Sequence, residues 1–230
     1  MGVVYLVRHG QASFGADDYD KLSALGHEQA RALGAALKPR VPNVDRVLAG
    51  SMRRHQETAR GCLDTLGCAL PVDIDARWNE FDHEELLLKH EPEFSDKARL
   101  YAKLATASDP TTAFETLFRG AVARWVGGAF DHEYTESWLG FRARCEAALD
   151  ALVASLGPSK TALVFTSGGP ISSVVQRDFE LSDARALQLP VALANCGVTK
   201  MIYGARGTRL STLNEHAWFE GAERRLLTYR

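Results

Sequence analysis

Short apolar runs alternate with longer stretches of helical periodicity along this chain. Residues 3–7 (Val-Val-Tyr-Leu-Val) form a β-branched run of the type buried on both faces of a sheet. A polar stretch over 11–21 follows, with Gly15, Asp17, Asp18 and Asp20 as loop signals. Ser23 can cap a helix running through Ala36, with Leu25, Ala30, Leu33 and Leu37 on one stripe, and Pro39 and Pro42 beyond its end. Residues 44–49 predict a second strand, Ser51 the cap of a helix reaching Leu66, and 72–74 a weak third strand. From 83 to 132 the pattern changes to helix formers and charge without a strand run, divided by Pro92 and Pro110, which predicts a helical insertion. Phe141, Cys145, Ala148, Leu152 and Leu156 then mark a long helix closed by Gly157-Pro158. Residues 161–166 predict another buried strand, followed by Ser167-Gly168-Gly169-Pro170 and a helix from Ile171. Residues 198–203 and 210–213, joined across 204–209, predict a terminal hairpin. Alternating strands and helices define an α/β protein: three layers, α/β/α, around a mostly parallel sheet, in a single domain over 1–230 that contains the helical insertion.

Composition narrows the function classes. The 230 residues carry 27 basic and 29 acidic side chains, a net charge of −2, so the chain lacks the basic footprint of a nucleic-acid binder. With 46% hydrophobic and 24% charged residues it is an ordinary globular sequence. No apolar run approaches the ~18 residues that cross a bilayer, and the run before Arg8 is too short for a signal-peptide core. Cys62, Cys68, Cys145 and Cys196 show no CxxC spacing and read as free, buried thiols of a reducing compartment. A cytoplasmic protein without membrane or nucleic-acid partners is the expectation; oligomeric state is not legible.

The chemistry centres on Arg8-His9-Gly10, directly after the first strand, where open α/β sheets bind ligands. Arginine offers a planar fork matched to phosphate oxygens, a neutral imidazole is a competent nucleophile, and glycine allows a sharp turn. Ser51 to Ala59 repeats the theme: a helix N-terminus after a strand is an anion site. Within that block Arg53 reads as a solvated arginine on the helix surface.

Taken together, these residues resemble the histidine phosphatase superfamily, the phosphoglycerate mutase-like enzymes. The resemblance rests on Leu6-Val7-Arg8-His9-Gly10, on Leu22-Ser23-x-x-Gly26-x-x-Gln29-Ala30-x-x-Leu33-Gly34, on Ser51-x-x-Arg54-x-x-x-Thr58-Ala59, and on Asn79-Glu80. It implies a metal-independent phosphatase acting on small-molecule phosphate monoesters, with no cofactor. His9 would carry the phosphoryl group, and Arg8 and Arg54 would hold its oxygens. Glu80 would serve as proton donor and then as base, with Asp82 as its stand-in. A phosphoglycerate mutase-type phosphotransferase is the alternative within this class.

One position departs from the family pattern. Where a second histidine is usual, this chain has Ser167, followed by Gly168 and Gly169, whose N–H groups open a helix. A neutral hydroxyl gives roughly half the bond strength of an imidazolium. Ser167 can act as a weaker donor to phosphate beside Gly168, His83 can substitute for the histidine, or the protein can be a phospholigand-binding or regulatory module. His83-Glu84-Glu85 lacks the HExxH zinc spacing, and Gly168-Gly169 lacks the lysine of a phosphate-binding P-loop. His27, His55, His132 and His216 read as surface or packed histidines, and the four tryptophans as packing residues. Substrate choice would fall to the insertion and the 11–21 loop, with Lys89, Arg99, Lys103, Arg119 and Arg124 as available cations.

Overall fold

The structure, a computed structural model, describes residues 1–13 and 20–229, apart from the side chains of residues 97 and 101. Most of the 11–21 loop expected to influence substrate choice therefore lies outside the described residues. The first strand is β1 (Gly2–Arg8), with Val4, Leu6 and Val7 fully enclosed. Ser23 caps α1 (Ala24–Leu37), its hydroxyl accepting from the Gly26 N–H at 3.0 Å. Next come β2 (Arg46–Ala49) and α2 (Arg53–Leu66). Here the expected cap is wrong: α2 starts after Met52, and the Ser51 hydroxyl instead accepts from Asn79 Nδ2 at 2.7 Å. The Asp20 carboxylate takes the first-turn Arg53 N–H at 2.8 Å, so the anion that helix N-termini favour comes from elsewhere in the chain.

After the short edge strand β3 (Val72–Ile74) come three helices without an intervening strand: α3 (His83–His90), α4 (Lys97–Ala105) and α5 (Pro110–Val126). Then follow α6 (Trp138–Leu156), β4 (Thr161–Thr166) and α7 (Gly168–Phe179). Helix α7 begins three residues before the expected Ile171, because Pro170 falls in the first turn, where its missing N–H costs nothing. The hairpin of β5 (Val198–Gly204) and β6 (Gly207–Glu215) turns through Ala205-Arg206 alone, tighter than the expected 204–209 loop, with Gly207 at φ 90°.

The six strands form one sheet in the order β3-β2-β4-β1-β5-β6. β1, β2, β3 and β4 run parallel, and the hairpin adds antiparallel to β1. Period-two alternation sends strand residues to two cores. On one face Val7, Val47, Leu163 and Phe165 pack with α1 and α2; on the other Leu6, Leu48, Ala162 and Val164 pack with α6, α7 and Trp78. This is the three-layer α/β/α architecture. Among the described residues, the cysteines are free thiols, with Cys68 only half-buried, and no helix is long and apolar enough to cross a membrane.

The chain divides into two compact units, residues 1–80 with 144–230, and residues 81–143. The first holds the sheet. The second is built around aromatic packing, with Trp125 5.0 Å from Phe81 and 5.3 Å from Trp138, ring to ring. Trp125 Nε1 donates to the Glu136 carbonyl at 2.7 Å. Asp82 serves here as a helix cap, its carboxylate accepting from the Glu85 N–H at the start of α3. His83 belongs to this unit as the first residue of α3.

Candidate active site

Sheet register dictates which residues meet. Arg8 lies beside Thr166, and Ala49 beside Phe165, so three parallel strands end together. Their ladders extend one residue further, with the His9 N–H donating to the Thr166 carbonyl and the Gly50 N–H to the Phe165 carbonyl. The segments after β1, β2 and β4 are thereby brought side by side at the carboxyl edge, where parallel sheets build their sites.

His9 is almost fully buried, at 6% exposure. Its Nδ1 lies 2.7 Å from the Gly10 carbonyl, an acceptor, so Nδ1 carries the ring proton and Nε2 is left with its lone pair. Burial pushes the His9 pKa well below 6.5, and the charges of Arg54 and Arg8 push it the same way against the Gly10 bond. The neutral, nucleophilic form is thus fixed by geometry and environment together.

The loop carrying His9 is clamped from three sides. The Gly10 N–H donates to Thr58 Oγ1 at 3.0 Å, and that hydroxyl donates to the Arg54 carbonyl at 2.7 Å, joining the loop to α2. Gly10 and Gly26 pack backbone to backbone, since a Cβ at Gly10 would lie 2.6 Å from the Gly26 carbonyl oxygen and one at Gly26 would lie 2.2 Å from that of Gln11. On the third side is a buried amide relay. Gln29 accepts from the Gln11 N–H and donates to the Leu226 carbonyl and to Thr228 Oγ1, at 2.8, 2.7 and 2.8 Å. Thr228 donates in turn to Asn195 Oδ1, and Asn195 Nδ2 donates to the His9 carbonyl at 3.2 Å.

Two guanidinium groups act on this imidazole. Arg54, in the first turn of α2, is 4% exposed and pairs with the Asp20 carboxylate at 2.6 Å. Arg8 donates to the Leu193 carbonyl and, at 3.5 Å, to that of Tyr229. Arg53, by contrast, is exposed and bonded to Glu57 at 2.7 Å, matching its reading as a surface arginine.

Glu80 reaches the same edge from the segment after β3. Thr166 Oγ1 donates to the Trp78 carbonyl at 2.6 Å, and Arg144 donates to the carbonyls of Arg77 and Asn79 at 2.8 and 3.1 Å, which fixes the approach. Glu80 Oε2 accepts from the Gly169 N–H at 2.9 Å, placing the carboxylate at the N-terminus of α7 beside Ser167 and Gly168.

The residue that the sequence reading missed is His55. It is fully buried, its ring centre is 5.7 Å from that of His9, and its Nε2 lies 2.6 Å from Ser167 Oγ. The available signal was its place next to Arg54 at a strand-to-helix junction. Asp20, read only as a loop residue, was missed as the anion on Arg54.

A buried Arg54 and a half-buried Arg8 thus act on a neutral imidazole nitrogen, at an α/β edge where helix N-termini gather. The chain belongs to the histidine phosphatase superfamily (branch 1), whose family model matches residues 4–216. It is 32% identical over 100 residues to a protein of Enterobacter sp. (strain 638) named probable phosphoglycerate mutase GpmB, a match covering 41% of this chain and 45% of that one. Its fold is similar to a phosphoglycerate mutase from Bacillus anthracis str. Sterne, with TM-score 0.64, 18% identity and 94% of each chain covered. It is also similar to a mycobacterial glucosyl-3-phosphoglycerate phosphatase, with TM-score 0.63, 21% identity and coverage of 94% and 99%.

Proposed function

We propose that this protein is a phosphatase that hydrolyses small-molecule phosphate monoesters through a phosphohistidine on His9. The observation that carries the reading is the buried His9 imidazole with its proton on Nδ1 and a cation on α2 lowering its pKa. In the first step the Nε2 lone pair attacks phosphorus while the bond to the leaving oxygen breaks, and Glu80 supplies the proton that oxygen takes up. Arg8, Arg54, the Ser167 hydroxyl and the Gly168 N–H receive the phosphoryl oxygens, replacing by fixed charge and donors what a metal would otherwise supply. In the second step water attacks phosphorus, Glu80 takes its proton, and the P–N bond breaks to return neutral His9 and release inorganic phosphate. Each group starts and ends in the same protonation state over the cycle.

Incubation with p-nitrophenyl phosphate followed by rapid quenching tests the reading. Acid-labile phosphate on His9 with continuous nitrophenolate release supports it; nitrophenolate release without label on His9 removes it. The similarity to a protein named probable phosphoglycerate mutase supports a second reading, phosphotransfer. Transfer of the label to a second hydroxyl compound at the expense of water would establish it.

A further inference from the structure

His55 and Ser167 form a fully buried polar pair in which the imidazole has no role in the chemistry above. A serine at a helix N-cap normally uses its hydroxyl to accept an N–H two or three residues on. Ser167 holds the N-cap position of α7 with extended backbone angles and makes no such bond. Glu80 takes the Gly169 N–H instead, and the serine hydroxyl is diverted to His55. The far side of the imidazole is accommodated by Gly50, where a Cβ would lie 2.3 Å from Nδ1. Nδ1 makes no hydrogen bond to any described residue. Burial, then the charge of Arg54, pushes the His55 pKa well below 6.5, so the ring is neutral and holds one proton. On Nδ1 that proton would face no acceptor, which is costly in a buried site; on Nε2 it meets the serine oxygen.

We infer that His55 is a positioning residue for the phosphoryl site: its Nε2–H donates to Ser167 Oγ and so turns the hydroxyl's own proton toward a phosphoryl oxygen. A hydroxyl left alone rotates among several partners; one whose oxygen already accepts a bond is both oriented and a stronger donor. Strand register sets Ser167 beside the segment that carries His9, since Arg8 pairs with Thr166 and the His9 N–H donates to the Thr166 carbonyl, and the two imidazole rings lie 5.7 Å apart. The inference rests on the phosphohistidine reading and adds to it a residue that touches no substrate.

A double-mutant cycle on the full chain tests it, with p-nitrophenyl phosphate turnover and orthovanadate binding by calorimetry as parallel readouts. His55→Ala and Ser167→Ala should each lower kcat on the order of 100-fold with a smaller change in KM, and the double variant should fall no further. His55→Gln, whose amide N–H sits near the position of Nε2, should recover at least about ten-fold of the loss, while His55→Phe, which keeps a ring in the pocket, should not. Losses that multiply in the double variant, or a His55→Phe protein with unchanged kcat, would overturn the inference. Vanadate affinity should show the same coupling without turnover. Coupling in vanadate binding without label on wild-type His9 would remove the phosphatase reading and leave the pair standing; labelling without coupling would do the reverse.

Discussion

Enclosing two uncharged imidazoles ties folding to pH. Burial lowers the pKa of both His9 and His55 well below 6.5, and Arg54 adds to each shift. In the unfolded chain both take up a proton near pH 6.5, whereas in the folded chain they do so only in more acid solution. The unfolded state therefore binds more protons in that window, and stability falls as pH drops below 6.5, by about 1.4 kcal/mol per pH unit for each imidazole fully engaged. Urea unfolding between pH 7 and pH 5.5 should show a falling midpoint, with a shallower slope in His9→Asn; a flat midpoint would contradict the neutral pair. At Arg54 the prediction concerns its counter-charge. Asp20→Asn removes an anion paired with a buried guanidinium, so the melting temperature should drop and 10 mM-scale inorganic phosphate should recover more of it than in wild type, by ligand linkage. Glu80→Gln should slow steady-state turnover by about 100-fold to 10,000-fold. With p-nitrophenyl phosphate, whose leaving group needs little protonation, it should still give a burst of one nitrophenolate per His9 before stalling.

At the scale of elements, the site is a set of strand-to-helix junctions, and these were unevenly legible. β1 and β4 could be read because strands covered on both faces need continuous apolar residues, and their final positions led directly to Arg8, His9 and Ser167. Residues 72–74 could be read only weakly, since β3 is an edge strand with little to bury. Ser51 misled because cap preference is local, whereas the groups it bonds, on Asn79, are 28 residues away. His55 was illegible for a related reason. Its periodicity is that of a packed helix residue, and only the folded chain, which brings Ser167 to it from 112 residues away, shows that it faces a hydroxyl and not aliphatic core. The Gly10–Gly26 contact makes a prediction at this scale. Gly26→Ala places a methyl 2.2 Å from the Gln11 carbonyl oxygen, so the backbone beside His9 must move. Stability should fall by about 1–3 kcal/mol, and kcat by tenfold or more through misplacement of the nucleophile, measurable by urea titration and steady-state kinetics on one preparation.

Over the whole molecule, each compact unit carries its own core. In residues 81–143 that core is aromatic, and Trp125→Ala, which removes a side chain only 1% exposed and its bond to Glu136, should cost about 3–5 kcal/mol in the stability of that unit. Tryptophan fluorescence during urea unfolding would report it. In the other unit, the amide relay from Gln29 through Thr228 and Asn195 to the His9 carbonyl links the first strand to residues near position 228. This has a consequence for protein synthesis. A nascent chain can bury its apolar strands as they emerge from the ribosome, but the support behind its reactive loop is still missing until residue 228 has cleared the exit tunnel. Competence for chemistry should thus arrive abruptly, only once residue 228 is free to fold back, and stalled chains that stop short of it should be compact yet silent.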